Sequence, residues 1–122
     1  MKRTLLLSQE FLDDSIAFLE QGRYRSSVDR AYYSIHYSAM ALLSDKGVRP
    51  PRSHRGLFSV FGREVVSKGI LSREFSTILS NALQGRMLST YSTEAEVAHG
   101  DAASTVEGAK KFLAATRSIL NH

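Results

Sequence analysis

No cysteine occurs in the 122 residues, which removes disulfide frameworks, thiolate metal sites and cysteine nucleophiles from consideration. Proline is nearly as scarce. The two present, Pro50 and Pro51, are adjacent, so a single extended connector absorbs both helix breakers. No period-two run of β-branched residues and no internal repeat is visible, which leaves no signal for a sheet or a solenoid. The opening apolar stretch Leu5-Leu6-Leu7 stops at Ser8 and acidic residues follow. It reads neither as a signal peptide nor as a membrane span, and a cytoplasmic protein without membrane attachment is expected. A Gly-rich phosphate loop, a GxSxG elbow, an HExxH pair and a preorganised carboxylate pair are all missing. Self-contained NTPase or hydrolase chemistry is therefore disfavoured, and neither a metal site nor a cofactor is expected.

What remains is a composition that folds. With 43% hydrophobic and 23% charged residues, the chain can bury a core, and its length suits one domain spanning residues 1–122 rather than two. The net charge of +4 is modest, but its distribution is uneven. From Lys46 to Lys68 six Lys or Arg residues face the single acid Glu64, whereas the first helical segment carries Glu10, Asp13, Asp14 and Glu20. A basic surface of this kind suits a polyanionic partner.

Helical periodicity runs through the chain. Leu5, Leu12, Ile16 and Leu19, with Phe11 and Phe18 beside them, predict a helix from about Leu5 to Gln21, closed by Gly22. A longer one from about Tyr24 to Lys46 uses Val28, Ala31, Tyr32, Ile35, Ala39, Leu42 and Leu43, with Gly47 as its stop. Ser53 can cap a third helix, roughly His54 to Lys68, with Leu57, Phe58, Phe61 and Val65 buried and Gly69 at its end. The fourth opens at Ser72 and runs to about Tyr91 on Phe75, Ile78, Leu79, Ala82 and Leu83. Thr93 with Glu96 has the form of a capping box, and the stripe Ala102, Val106, Ala109, Leu113, Thr116 and Leu120 defines the fifth from about Asp101. An all-α antiparallel bundle of about five helices follows.

Three places carry candidate chemistry. On the second helix, Arg30, Tyr33 and Tyr37 lie at three- and four-residue steps, and Asp29 and His36 share an azimuth. This stripe reads as a cleft wall on which bases stack and Arg30 meets phosphate, or, as the commoner use of such stripes on bundle helices, as a helix interface that buries tyrosine rings and leaves their hydroxyls wet. Arg86 continues the buried stripe of the fourth helix, following Leu79 and Ala82, with Tyr91 about one and a half turns on. It can hold a phosphate or stabilise charge on a scissile phosphodiester, or it can pair with a buried acid such as Asp29. The segment Arg52-Ser53-His54-Arg55-Gly56 joins a helix N-terminus to basic side chains, which makes His54 and Arg55 candidate phosphate contacts or a solvated basic corner. The spacing of His36, His99 and His122 does not suggest a metal site.

Gly22-Arg23-Tyr24, Asp29-Arg30-Ala31-Tyr32-Tyr33-Ser34-Ile35-His36, Ala41-Leu42-Leu43, Ser53-His54-Arg55-Gly56-Leu57, Phe61-Gly62, Gly69-Ile70-Leu71 and the Arg86–Tyr91 segment together resemble the HEPN family, in particular its stand-alone UPF0332 branch. The resemblance covers nearly the whole chain. It implies a five-helix bundle that pairs into a homodimer, binds RNA or nucleotide, and acts as the toxin-like or regulatory partner of a minimal nucleotidyltransferase. In active members an arginine and a following histidine near the end of the fourth helix cut RNA at the dimer cleft. Arg86 matches the arginine. Tyr91 stands five residues later where a histidine would be expected, His99 lies thirteen residues after Arg86, and a neutral tyrosine is a poor general base. The expected site is Asp29, Arg30, Tyr33, Tyr37, His54 and Arg55 for RNA or nucleotide, with Arg86 and Tyr91 for catalysis. The alternatives are a metal-independent endoribonuclease and a structural dimer without ligand.

Overall fold

The computed structural model describes residues 2–93 and 96–120. Five α-helices follow one another: α1 (Lys2–Glu20), α2 (Tyr24–Asp45), α3 (His54–Phe61), α4 (Arg73–Tyr91) and α5 (His99–Leu120). No strand occurs among the described residues, as the missing period-two pattern predicts. None of these helices is long and apolar enough to cross a membrane.

Helix α2 is the centre of the bundle, packed by α1, α4 and α5. Its Ala31, Tyr32, Ile35, Ala39, Leu42 and Leu43 are fully enclosed. From α5 the predicted stripe Ala102, Val106, Ala109, Leu113, Thr116 and Leu120 is buried throughout, joined by Phe112, whose ring meets Phe61 and Phe75. Burying large apolar side chains of this kind stabilises the fold by about 1.5–3 kcal/mol each.

The α1–α2 contact is different in kind. Ser8, Ser15, Ser27, Ser34 and Ser38 are all completely buried, and small side chains let two helix axes approach closely. Ser8 Oγ donates to the Ser34 carbonyl at 2.7 Å and lies 2.7 Å from the Ser38 hydroxyl. Ser27 Oγ donates to the Ser15 carbonyl at 2.8 Å. Because Ser8 meets Ser34 and Ser38 while Ser15 meets Ser27, the two helices run antiparallel. Ile16 and Leu19, expected on the central line of α1, lie instead at its partly buried margin.

Helix ends follow the residues that terminate them. Gly22 and Gly47 take φ of 75° and 74°, a left-handed conformation that a side chain would disfavour. Each closes a Schellman turn: Arg23 N–H bonds to the Phe18 carbonyl at 2.9 Å and Val48 N–H to that of Leu43 at 2.9 Å. After the Pro50-Pro51 connector, Ser53 Oγ accepts from the Gly56 N–H at 2.9 Å and caps α3. A Cβ at Gly56 would sit 2.7 Å from that Oγ, so the absence of a side chain is what lets the cap close.

Three expectations need correction. The third helix is not uniformly α: it passes at Phe61 into a π turn, Gly62–Val66, with Ser67 N–H reaching the Gly62 carbonyl at 2.8 Å. Phe58 is exposed rather than buried, because the short helix turns only Leu57 and Phe61 inward and Phe58 lies about 100° away from Leu57. The Thr93–Glu96 capping box does not form. Helix α5 starts at His99, and Asp101 reaches back to accept from the Ala98 N–H at 3.1 Å.

The serine contact has a measurable signature. Ser8→Ala should cost about 1–2 kcal/mol by leaving its partners unsatisfied. Ser8→Leu should cost more, since overpacking alone costs about 1–3 kcal/mol. Chemical unfolding of both variants would show that order, and equal or negligible losses would rule out the tight α1–α2 contact.

Candidate functional site

Arg86 enters from α4 toward α2 with its side chain only 14% exposed, so its charge is met by protein rather than by bulk water. Nε lies 3.4 Å from Asp29 Oδ1, and Nη2 donates to the Tyr33 hydroxyl at 3.0 Å. The guanidinium also stands over two rings, 5.2 Å from the Tyr33 centroid and 5.9 Å from that of Tyr32, a favourable arrangement for a weakly hydrated cation. The pairing with Asp29 that the sequence left open is therefore present, and it orients Arg86 rather than removing it from reach.

Reach is provided by a cleft of ≈ 420 Å³ between α3 and α4, lined by His54, Arg55, Phe58, Ser80, Leu83, Gln84, Arg86 and Met87. Its size is that of a small-ligand site, and its wall is apolar with a few convergent polar groups. A hollow between α4 and α5 differs in character. Its charges, Glu74 with Lys111 and Glu107 with Lys110, pair with each other on the surface.

Behind the cleft stands a polar aromatic cluster that periodicity did not single out. The Tyr32 hydroxyl, on a fully buried residue, lies 2.5 Å from His54 Nδ1 and 3.4 Å from His36 Nδ1. The two imidazole rings are 5.3 Å apart. Burial, the neighbouring His54 and Arg86 together push His36 from 6.5 down to about 4. Burial and Arg86 lower His54 as well, and burial raises the Tyr32 phenol. At neutral pH all three are therefore uncharged, in contact with one fixed cation.

The predicted residues separate into groups. Arg86, His54 and Arg55 reach the cleft, while Asp29 and Tyr33 support Arg86 from behind. Arg30 bonds to Asp29 at 3.2 Å and lies over the Phe11 ring at 5.9 Å. Tyr37 stacks nearly parallel on Phe11, centroids 5.6 Å apart. Tyr33, whose ring also lies 5.6 Å from Phe11, thus serves both Arg86 and the helix interface, and Tyr37 the interface. His99 is set edge-on to Tyr24 and does not line the cleft. The Tyr91 side chain and His122 lie outside the described residues. Arg25, not flagged by its sequence context, donates to the Ser89 carbonyl and, at 3.1 Å, to that of Ser92. It therefore anchors the C-terminal end of α4, where the carbonyls lack helical partners.

Acid should reveal the buried histidines. In the unfolded chain they protonate near 6.5, whereas folded His36 resists until about 4. Stability is thus complete above about 6.5 and declines as the pH falls toward 4, by about 1–2 kcal/mol after allowance for partial exposure. Urea midpoints measured across that range should fall in the wild type and vary less in His36→Gln; parallel curves would contradict this account.

The comparisons with known proteins agree with this architecture. A family model for the HEPN domain matches residues 1–120. A UPF0332 protein from Pyrococcus horikoshii is 32% identical over 97 residues, covering 80% of this chain and 68% of that protein. A UPF0332 protein from Thermotoga maritima is 28% identical over 113 residues, 93% of this chain and 85% of that one. A Methanocaldococcus jannaschii protein named "putative toxin" is 32% identical over 88 residues, 72% of this chain and 65% of its own length. The match spans all five helices and the Arg86 cleft they build, and the chain belongs to the HEPN family.

Proposed function

We propose that the α3–α4 cleft binds the sugar-phosphate backbone of RNA or a nucleotide, and that the protein is a cytoplasmic, toxin-like homodimer working with a minimal nucleotidyltransferase. The observation that carries this reading is Arg86. It is a mostly buried guanidinium oriented by Asp29 and Tyr33 and opening on a cleft that also holds Arg55. Held in this way, the guanidinium is pre-oriented at the cleft, so an interaction with phosphate oxygens there would cost little entropy. Exposed Arg49, Arg52 and Arg55 extend the positive surface along the connector into α3, and counterion release from a polyanion would add salt-sensitive affinity. The toxin-like role is supported by the relative that bears the toxin name.

Dimerisation through the same side of the molecule is supported by the large apolar residues left exposed there. Phe58 (37%) and Met87 (49%) both line the cleft. A second copy covering them would deepen the cleft and bring two Arg86 side chains toward one polyanion.

Two measurements test the reading. Fluorescence anisotropy with a labelled mixed-sequence RNA should show salt-sensitive binding, weakened about tenfold or more in Arg86→Ala, the loss of one charge-assisted contact. Unchanged affinity would remove Arg86 from the binding site. Sedimentation velocity should show a dimer for the wild type and a monomer for Met87→Asp, since a buried unpaired carboxylate opposes association. A wild-type monomer would withdraw the dimer.

A further inference from the structure

We propose that a hollow between α4 and α5, away from the Arg86 cleft, receives the first turn of α1 from a second copy of this chain. The contact is head-to-tail, separate from the symmetric dimer and independent of the RNA reading. Two large apolar side chains that do not line the cleft are exposed, Leu6 at 62% and Leu88 at 57%. Leu88 stands on the wall of a cavity of ≈ 310 Å³, with Val28 and Val97 beside it. Helix α4 is the partition, since Asn81, Gly85 and Leu88 line this hollow while Leu83, Arg86 and Met87 line the cleft. The space narrows to ≈ 80 Å³ beside Ile78 and Gly108, where a Cβ on Gly108 would sit 3.1 Å from Ile78. Its wide end is therefore at Leu88 and Gly100. The charged lining there is acidic, Glu96 and Asp101. Arg23 and Arg25 line a neighbouring hollow that shares Glu96, not this one.

Leu6 lies in the complementary setting. Lys2 and Arg3 precede it by four and three residues, so they share its side of the helix. All three are exposed, and neither cation is in an ion pair among the described residues. Docked, Leu6 packs among Val28, Leu88 and Val97, while Lys2 and Arg3 meet Glu96 and Asp101. Glu10, one turn after Leu6, is repelled by the same two acids. The contact is thereby confined to the start of α1.

A chain cannot fill its own hollow. Ser8 bonds to Ser34 and Ser38, and Gln9 accepts from Arg117 at 3.2 Å, which puts Leu6 at the end of the bundle where α2 and α5 finish. Val28, Gly100 and Asp101 put the hollow where those two helices begin. Along α2, Val28 and Ser38 are about 15 Å apart. The contact therefore joins different surfaces of two copies and repeats, each added copy offering a further hollow. Phe58 and Met87, on the cleft side of α4, take no part in it.

A Met87→Asp protein, in which the symmetric contact is removed, isolates this one. Followed by small-angle scattering over a concentration series, it should self-associate with a Kd of about 0.1–1 mM, as suits a small contact, and less as salt screens the charges. Adding Leu6→Asp or Leu88→Gln should each weaken association about tenfold, through loss of an apolar anchor. The Leu6→Asp protein keeps its hollow and the Leu88→Gln protein keeps its α1. Mixed in equal amounts they should associate again and stop at two copies, which also shows that both are folded. Absence of association up to about 2 mM, above the expected Kd, overturns the inference and leaves the hollow to a different occupant. Association undiminished by either substitution, or no gain on mixing, overturns it as well. A wild-type monomer at low concentration withdraws the symmetric dimer alone.

Discussion

Helix α2 is enclosed by α1, α4 and α5, and that enclosure governs the rest of the molecule. A helix buried on most of its circumference has to be apolar or small nearly all round. Wherever it carries a charge or a polar ring, a neighbour must answer it. Serines meet this requirement toward α1, where Ser34 and Ser38 bond to Ser8. Toward α4 the same requirement is met by a cation, since Asp29 and Tyr33 are matched by Arg86. The candidate site is therefore also a packing solution, placed where the central helix has polar groups to satisfy.

Placing a guanidinium there has electrostatic consequences. A fixed positive charge in a partly dry environment disfavours any second proton nearby. Burial, with Arg86 adding to it, lowers His36 and His54 so that both remain neutral, while burial holds the Tyr32 proton in place against the opposing pull of Arg86. The cluster is thus a set of uncharged donors and acceptors facing a single cation, which suits an anionic ligand. Arg25 contributes at a distance. By bonding to the carbonyls at the end of α4 it holds the helix segment that follows Arg86.

Apolar spacing made the helices legible. Residues three and four apart share a face whatever the partner is, so the α5 stripe from Ala102 to Leu120 and the core line of α2 were readable in advance. Gly22, Gly47 and the Pro50-Pro51 pair marked the breaks because their backbone constraints are local. Phe58 was misassigned for the same reason that Leu57 was correct. On an eight-residue helix at the bundle edge, hydrophobicity does not decide which of two adjacent apolar residues faces inward. The serine contact was equally hidden, since a buried serine has the composition of a surface one.

By itself, then, the sequence determined an all-α chain, its helix order, most of its core and the family to which it belongs. These depend on local periodicity, local backbone restriction and motifs that survive without coordinates. Only the tertiary structure decided that Tyr32 and His36 stand behind His54, that Tyr33 serves Arg86 while Tyr37 stacks on Phe11, and that α3 and α4 form the two walls of one cleft. Those contacts join residues distant along the chain, and their geometry depends on how closely helices approach and how each is rotated about its axis. Side-chain volumes across the whole core set both quantities together, and no short stretch of sequence contains them.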